Sequence, residues 1–208
     1  MKKTAFLSLI IAASVMLLNF TSSDSERAGA VVGQQAPDFS VVDAHGNMHS
    51  LSDFEGQFVI LEWLNHGCPF VRKHYDGNNM QELQRKYTEK GVVWLSVVSS
   101  APGTQGYMEP EETLRTAEEK GAAPTAILLD VDGTMGRAFD ARVTPHMYII
   151  NPEGIVEFNG AIDDRPTARA RDLEGAHNYV VAAMTSLLNG EPVEVATNTP
   201  YGCTVKYE

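Results

Sequence analysis

Cysteine is scarce in this chain of 208 residues. Cys68 and Cys203 are the only two, too few to build a disulfide scaffold. With 43% apolar residues the chain needs no such scaffold, because it can bury the core of one ordinary globular domain. Positive charge is also short. Sixteen Lys and Arg face 27 Asp and Glu, for a formal net charge of -11. No basic cluster stands out, which argues against nucleic acid or an anionic membrane surface as a partner. Internal repeats and low-complexity stretches are absent.

An apolar stretch long enough to concern a membrane lies at the N-terminus. Lys2 and Lys3 precede Ala5 to Phe20, which is interrupted only by Ser8, Ser14 and Asn19, and Ala28-Gly29-Ala30 follows. A positive start, an apolar run and a small-residue cleavage pattern read as a secretory signal peptide over residues 1–30, cleaved after Ala30. The other reading is an uncleaved anchor, in which case membrane contact is confined to that segment. Both place the folded part outside the cytoplasm, in a periplasm or another extracytoplasmic space. In an oxidising compartment the two thiols can pair, and a pair that includes a cysteine at a helix N-terminus points to redox activity.

That cysteine lies in Phe58 to Lys73, FVILEWLNHGCPFVRK. The apolar run reads as a buried strand, Asn65-His66-Gly67 as a turn and Pro69 as the first residue of a helix. Cys68 therefore stands where free N–H groups and the positive end of the helix favour a thiolate. The plainer alternative is a small buried hydrophobe. Glu62 is the single charge in the strand, and a carboxylate there is costly unless paired or protonated.

Further along, Phe39 to Val42 and Met48 to Leu51 are expected to form an N-terminal hairpin. A helix from Cys68 to about Lys90 should kink or restart near Gly77, with Asn79 and Glu82 spaced as a capping box. Val92 to Ser99 and Thr125 to Leu129 read as strands, Glu109 to Gly121 and Thr134 to Phe139 as helices. Asp130-Val131-Asp132-Gly133 reads as a plain turn. Met147 to Ile150 and Val156 to Asn159 flank the turn at Asn151-Pro152-Glu153-Gly154, and a last helix with Tyr179, Ala183 and Leu187 on its apolar face ends at Asn189-Gly190. Strands alternating with helices, closed by a hairpin, imply a three-layer α/β/α sandwich with a mixed central sheet.

On these residues the chain resembles the thioredoxin superfamily, and within it the redoxin, alkyl hydroperoxide reductase-type peroxiredoxin-like family. The likeness covers residues 32 to 190. It rests on Val32 to Phe39 (G-x-x-A-P-x-F), on Ser52 to Gly56, on Glu62 six residues before Cys68, and on Thr144-Pro145 before a strand. It implies a thioredoxin-like fold with a cis bond at Thr144-Pro145, which few X–Pro bonds adopt unprompted. It also implies a reactive Cys68, a buried Glu62 that relays protons, and a substrate held by Thr144, Pro145, Pro69 and Phe70. The chain departs from the pattern in four places: Val71 stands at the second cysteine of CxxC, Asn65 at the peroxiredoxin threonine, Leu61 at its proline, and Pro145 where peroxiredoxins commonly carry an arginine that polarises the peroxide, with Arg142 three residues earlier.

The resulting expectation is a signal peptide (1–30), a redoxin domain (31–190) and a tail (191–208) carrying Cys203. The protein would be a thiol-dependent oxidoreductase acting on protein disulfides or hydroperoxides and served by a thiol reductant, with no cofactor and no metal. Cys203, on a tail long enough to reach Cys68, would resolve the intermediate through a transient bond. Two rivals stand beside this reading. One is a non-catalytic copper- or haem-pathway chaperone using Cys68 and His66, and the other an inactive redoxin relative. His74, six residues past Cys68, would point about 120° away on a regular helix. Lys73 and Arg72 are placed to hold a thiolate electrostatically.

Overall fold

The computed structural model describes residues 29–208. The predicted signal peptide therefore falls outside the described residues except for Gly29 and Ala30. Ala30 is buried, and its N–H donates to the Phe139 carbonyl at 3.3 Å.

The chain opens with a hairpin of β1 (Ser40–Val42) and β2 (Met48–Ser50). Its turn is closed by Asp43, whose Oδ1 accepts the N–H groups of His45 and Asn47 at 2.9 and 2.8 Å. A 3-10 turn at Leu51–Phe54 leads into β3 (Val59–Trp63). Then follow α1 (Pro69–Asp76), α2 (Asn79–Thr88), β4 (Val93–Val98), α3 (Pro110–Glu119), β5 (Ala126–Leu129) and α4 (Thr134–Phe139). The chain continues through β6 (Val143–Thr144), β7 (His146–Ile150), β8 (Val156–Gly160) and α5 (Tyr179–Leu188) to β9 (Cys203–Thr204). Among the described residues no helix is long and apolar enough to cross a membrane.

Five strands form the central sheet in the order β5-β4-β3-β7-β8. The junctions on the β4 side of β3 are parallel, because helices carry the chain across. Those on the β7 side are antiparallel. The sheet is therefore mixed, as the pattern of elements predicts, and β3 is its centre, with all five residues buried.

Strand alternation decides which layer each residue serves. Val59, Leu61 and Trp63 face one core, with Phe39, Met135, Phe139 and Tyr148. Ile60 and Leu64 face the other, with Val71 and Tyr75 of α1, Met80 and Leu83 of α2, and Val180 and Met184 of α5. Glu62 lies between Ile60 and Leu64 and so points at α1 and α2. Its position as the lone charge in an apolar strand follows directly from this period of two.

The helix expected from Cys68 to Lys90 is two helices. α1 stops at Asp76, and Asn78 takes the left-handed conformation (φ 56°) that asparagine tolerates. Asn78, not Asn79, is thus the residue before α2. Its amide bonds Glu82 Oε1 at 2.9 Å, while the Asn79 amide turns back to His74 Nδ1 at 2.9 Å. Residues 191–208 return across the molecule, and β9 pairs antiparallel with β6.

Candidate active site

The β3–α1 turn is closed locally. Gly67 N–H donates to Asn65 Oδ1 at 2.8 Å and Cys68 N–H to the Asn65 carbonyl at 2.9 Å. A β-carbon on Gly67 would crowd Asn65 Oδ1 and Gln105. The Asn65 amide also donates to the Gln105 carbonyl at 3.1 Å, so the residue at the expected threonine position ties down the 101–108 loop. Cys68 immediately precedes Pro69, the first residue of α1, and its carbonyl accepts the Arg72 N–H at 2.9 Å. Its side chain is wholly buried, with Sγ 3.2 Å from the Thr144 carbonyl oxygen. The Thr144–Pro145 bond is cis, as the resemblance implies.

Cys203 completes this arrangement. It is disulfide-bonded to Cys68, with the Cα atoms 5.8 Å apart, a separation suited to such a bond. In the β6–β9 ladder Thr144 is the register partner of Cys203 and Val143 of Thr204. Gly202 has φ 150°, and a β-carbon there would run into the Thr144 carbonyl, so glycine permits this close passage. Beyond the cysteine, Val205 N–H donates to the Arg142 carbonyl at 3.0 Å and Tyr207 hydroxyl to the Ala141 carbonyl at 2.7 Å. The tail, expected as a mobile arm, is a docked strand.

Glu62 is wholly buried in a cage of neutral donors. Tyr75 hydroxyl reaches Oε1 at 2.9 Å; Gln84 Nε2, Trp94 Nε1 and Ser96 Oγ reach Oε2 at 3.0, 2.9 and 3.0 Å. Burial raises its pKa above the ordinary 4.5, although all four donors pull it the other way. Oε2 accepts three hydrogen bonds and Oε1 one. None of the four partners is hydrogen-bonded to Cys68 in this structure, so a path for protons between the two is not drawn by direct contacts.

The AhpC/TSA family model matches residues 32–159, more than half of the chain. The chain belongs to the AhpC/TSA family. Among curated relatives of this AhpC/TSA protein is the thiol-disulfide oxidoreductase ResA of Geobacillus kaustophilus. It is 26% identical over 155 residues, covering 74% of this chain and 83% of the relative. A crystal structure of an uncharacterized conserved protein from the same organism superposes with a TM-score of 0.73 at 28% identity, covering 86% of this chain and 93% of that one. The thioredoxin domain of a thiol-disulfide oxidoreductase from Bacteroides vulgatus superposes with a TM-score of 0.52 at 21% identity, over 71% of this chain and 98% of that one. The fold is thioredoxin-like.

One feature of this AhpC/TSA protein escaped sequence reasoning. Lys73, expected beside a thiolate, is instead buried against Asp163, with Nζ 3.1 and 2.8 Å from the two carboxylate oxygens. It also donates to the Arg165 carbonyl at 2.7 Å and lies 3.1 Å from Tyr201 hydroxyl. That hydroxyl donates to Asp163 Oδ1 as well. His74 sits at the edge of the cluster, its Nε2 3.5 Å from the hydroxyl. Phe70 packs edge-on against the Tyr201 ring with centroids 5.8 Å apart. An invariant spacing could not have signalled this cluster: Lys73 lies 90 residues from Asp163 and 128 from Tyr201.

His66 packs against Tyr75 with centroids 4.7 Å apart, and burial lowers its pKa to about 4. Among the described residues no three His, Cys, Asp or Glu side chains converge as a metal site.

Proposed function

We propose that this protein is an extracytoplasmic thiol oxidoreductase that exchanges electrons with polypeptide disulfides through Cys68 and Cys203. The observation that carries the reading is the Cys68–Cys203 bond, formed in antiparallel register with the strand that ends in the cis-proline. Strand addition of this kind is a general way to hold an extended chain by its backbone. The tail thus occupies the position an extended substrate would take, with its sulfur on Cys68. The name of the ResA relative supports the same chemistry.

In the reduced protein the Cys68 thiolate attacks one sulfur of an external disulfide. The external S–S bond breaks, one thiolate leaves with the bonding pair and takes up a proton, and a mixed disulfide stays on Cys68. The Cys203 thiolate then attacks the Cys68 sulfur and displaces the second external thiolate. Two electrons have passed from the protein to the substrate, and the bond seen here has formed. An external dithiol reverses the sequence. The start of α1 favours the Cys68 thiolate. Glu62 takes the role of the buried acid whose proton state is coupled to that of the thiol. Thr144 and Pro145 bind the substrate backbone, with Pro69 and Phe70 lining the approach.

A hydroperoxide could oxidise the same pair through a sulfenic acid that condenses with Cys203 and releases water. Disulfide exchange is favoured because Asn65 is engaged with the loop, and Arg142 is exposed and ion-paired with Asp140 at 2.6 Å. The location outside the cytoplasm is supported by the N-terminal sequence from Lys2 to Ala30 and by the disulfide itself.

Oxidised glutathione tests the proposal. The reduced wild type is expected to release both glutathione thiols per disulfide consumed and end as the internal disulfide. Cys203→Ser should stop at a Cys68–glutathione adduct, and Cys68→Ser should form neither. Equal turnover by Cys203→Ser would remove the resolving role. Sulfenic acid at Cys68 with peroxide, and no reaction with disulfides, would move the protein to peroxide chemistry.

A further inference from the structure

The tail is held on both sides of Cys203 by contacts that do not involve sulfur. Before the cysteine stands Tyr201. Its hydroxyl meets Asp163 and Lys73, which are 2% and 1% exposed, and its ring lies against Phe70 and 5.4 Å from Lys73 Nζ. After the cysteine, Val205 is buried, Lys206 carbonyl accepts the Ala101 N–H at 2.8 Å, and Tyr207 hydroxyl reaches the Ala141 carbonyl. Lys73 and Asp163 satisfy one another without the tyrosine, so the pair is a fixed polar seat and not an orphaned charge awaiting a partner. Its desolvated charges strengthen any hydroxyl that joins them.

We infer that Tyr201 is a positioning residue: seated on the Lys73–Asp163 pair, it docks the tail as a built-in substrate strand and keeps Cys203 beside Cys68 after the disulfide is reduced. Two consequences follow. Reduction leaves a preformed dithiol at high effective concentration, because the second thiol is not returned to a free tether. An external polypeptide must displace residues 201–205 to reach Cys68, whose side chain is fully covered while the tail is in place. Tyr201 therefore sets the balance between internal resolution and substrate entry.

The test separates docking from turnover, so it holds even if the physiological reaction is different. In the full chain carrying Cys203→Ser, which cannot form the bond, amide exchange of the Val205 N–H is expected to remain slow. Adding Tyr201→Ala should speed it by about tenfold or more, the worth of a hydrogen bond to a charged group, while β3 amides stay protected. Tyr201→Phe, which keeps the ring and loses the hydroxyl, should fall between them. With both cysteines present, Tyr201→Ala should lower the equilibrium constant for internal disulfide formation against glutathione by a similar factor. Val205 exchanging at the free-chain rate in Cys203→Ser would overturn the inference. So would a Tyr201→Ala protein unchanged in both measurements. If Tyr201→Ala loses β3 protection, Tyr201→Phe decides by the same two readings.

Discussion

Glu62 and Asp163 are both fully buried carboxylates, yet the protein treats them in opposite ways. Glu62 is surrounded by neutral donors from β3's neighbours and from α1 and α2, with no cation among its hydrogen-bond partners. Asp163 is met by Lys73. A carboxylate in a neutral cage can change its charge without breaking an ion pair, and burial pushes Glu62 toward the protonated form. A carboxylate held at two oxygens by a buried lysine serves as an anchor, because removing either partner leaves the other buried and uncompensated. The first arrangement suits a group that changes its charge, the second suits docking of Tyr201.

Cutting the Cys68–Cys203 bond, which lies outside both carboxylate sites, should have the largest effect. Closure of a loop of 135 residues stabilises by about 5 kcal/mol in the chain-entropy account. Cys203→Ser under oxidising conditions is therefore expected to lower the melting temperature by about 10–20 °C for a domain of this size. Thermal melts with and without reductant check this, since reduced wild type should approach the variant.

Breaking the anchor comes next. Lys73→Met leaves Asp163 buried without its cation and should destabilise by about 3–5 kcal/mol. Asp163→Leu added to Lys73→Met should recover part of that loss. Denaturant unfolding of the three reduced proteins measures it. A Lys73→Met protein as stable as wild type would mean the pair carries no anchoring charge.

The neutral cage is sharpened by pH. At low pH Glu62 is protonated in both folded and unfolded chains. As pH rises past the unfolded value near 4.5, the unfolded chain ionises first, because burial raises the folded pKa. Folding stability should therefore decline from there until pH passes the raised pKa. Glu62→Gln should remove this slope while keeping the fold, and should slow thiol exchange on the order of a hundredfold if the acid supplies general catalysis. Trp94→Phe, which deletes one of the donors that pull the pKa down, should carry the decline to higher pH. These are the smallest effects on stability, and unfolding free energy against pH reads them.

Much of this was legible from the residues alone. β3 and the Cys68 turn follow from contiguous patterns: an apolar run, and Gly67 and Pro69 flanking a cysteine. The cis bond at Pro145 and the burial of Glu62 were implied by the resemblance to the thioredoxin superfamily. The kink at Gly77 was legible too, although Asn78 takes the special conformation in place of a cap at Asn79. What escaped was assembled over long separations or by very short elements. β6 and β9 have two residues each, too few to show a period. Asp163 sits in a loop whose charges, Asp164 and Arg165 beside it, look alike in sequence. Only the fold distinguishes the one that meets Lys73, and with it the seat of Tyr201.

The central claim, that Cys68 and Cys203 form one redox-active pair, is tested most directly by equilibrating the folded protein across glutathione buffers and reading alkylated mass. The account predicts a single reversible transition in which both thiols are reduced together, as read by alkylation after a denaturing acid quench, while the protein stays folded across the buffers. Cys68 oxidising alone, or a disulfide that yields only when the protein unfolds, would contradict it.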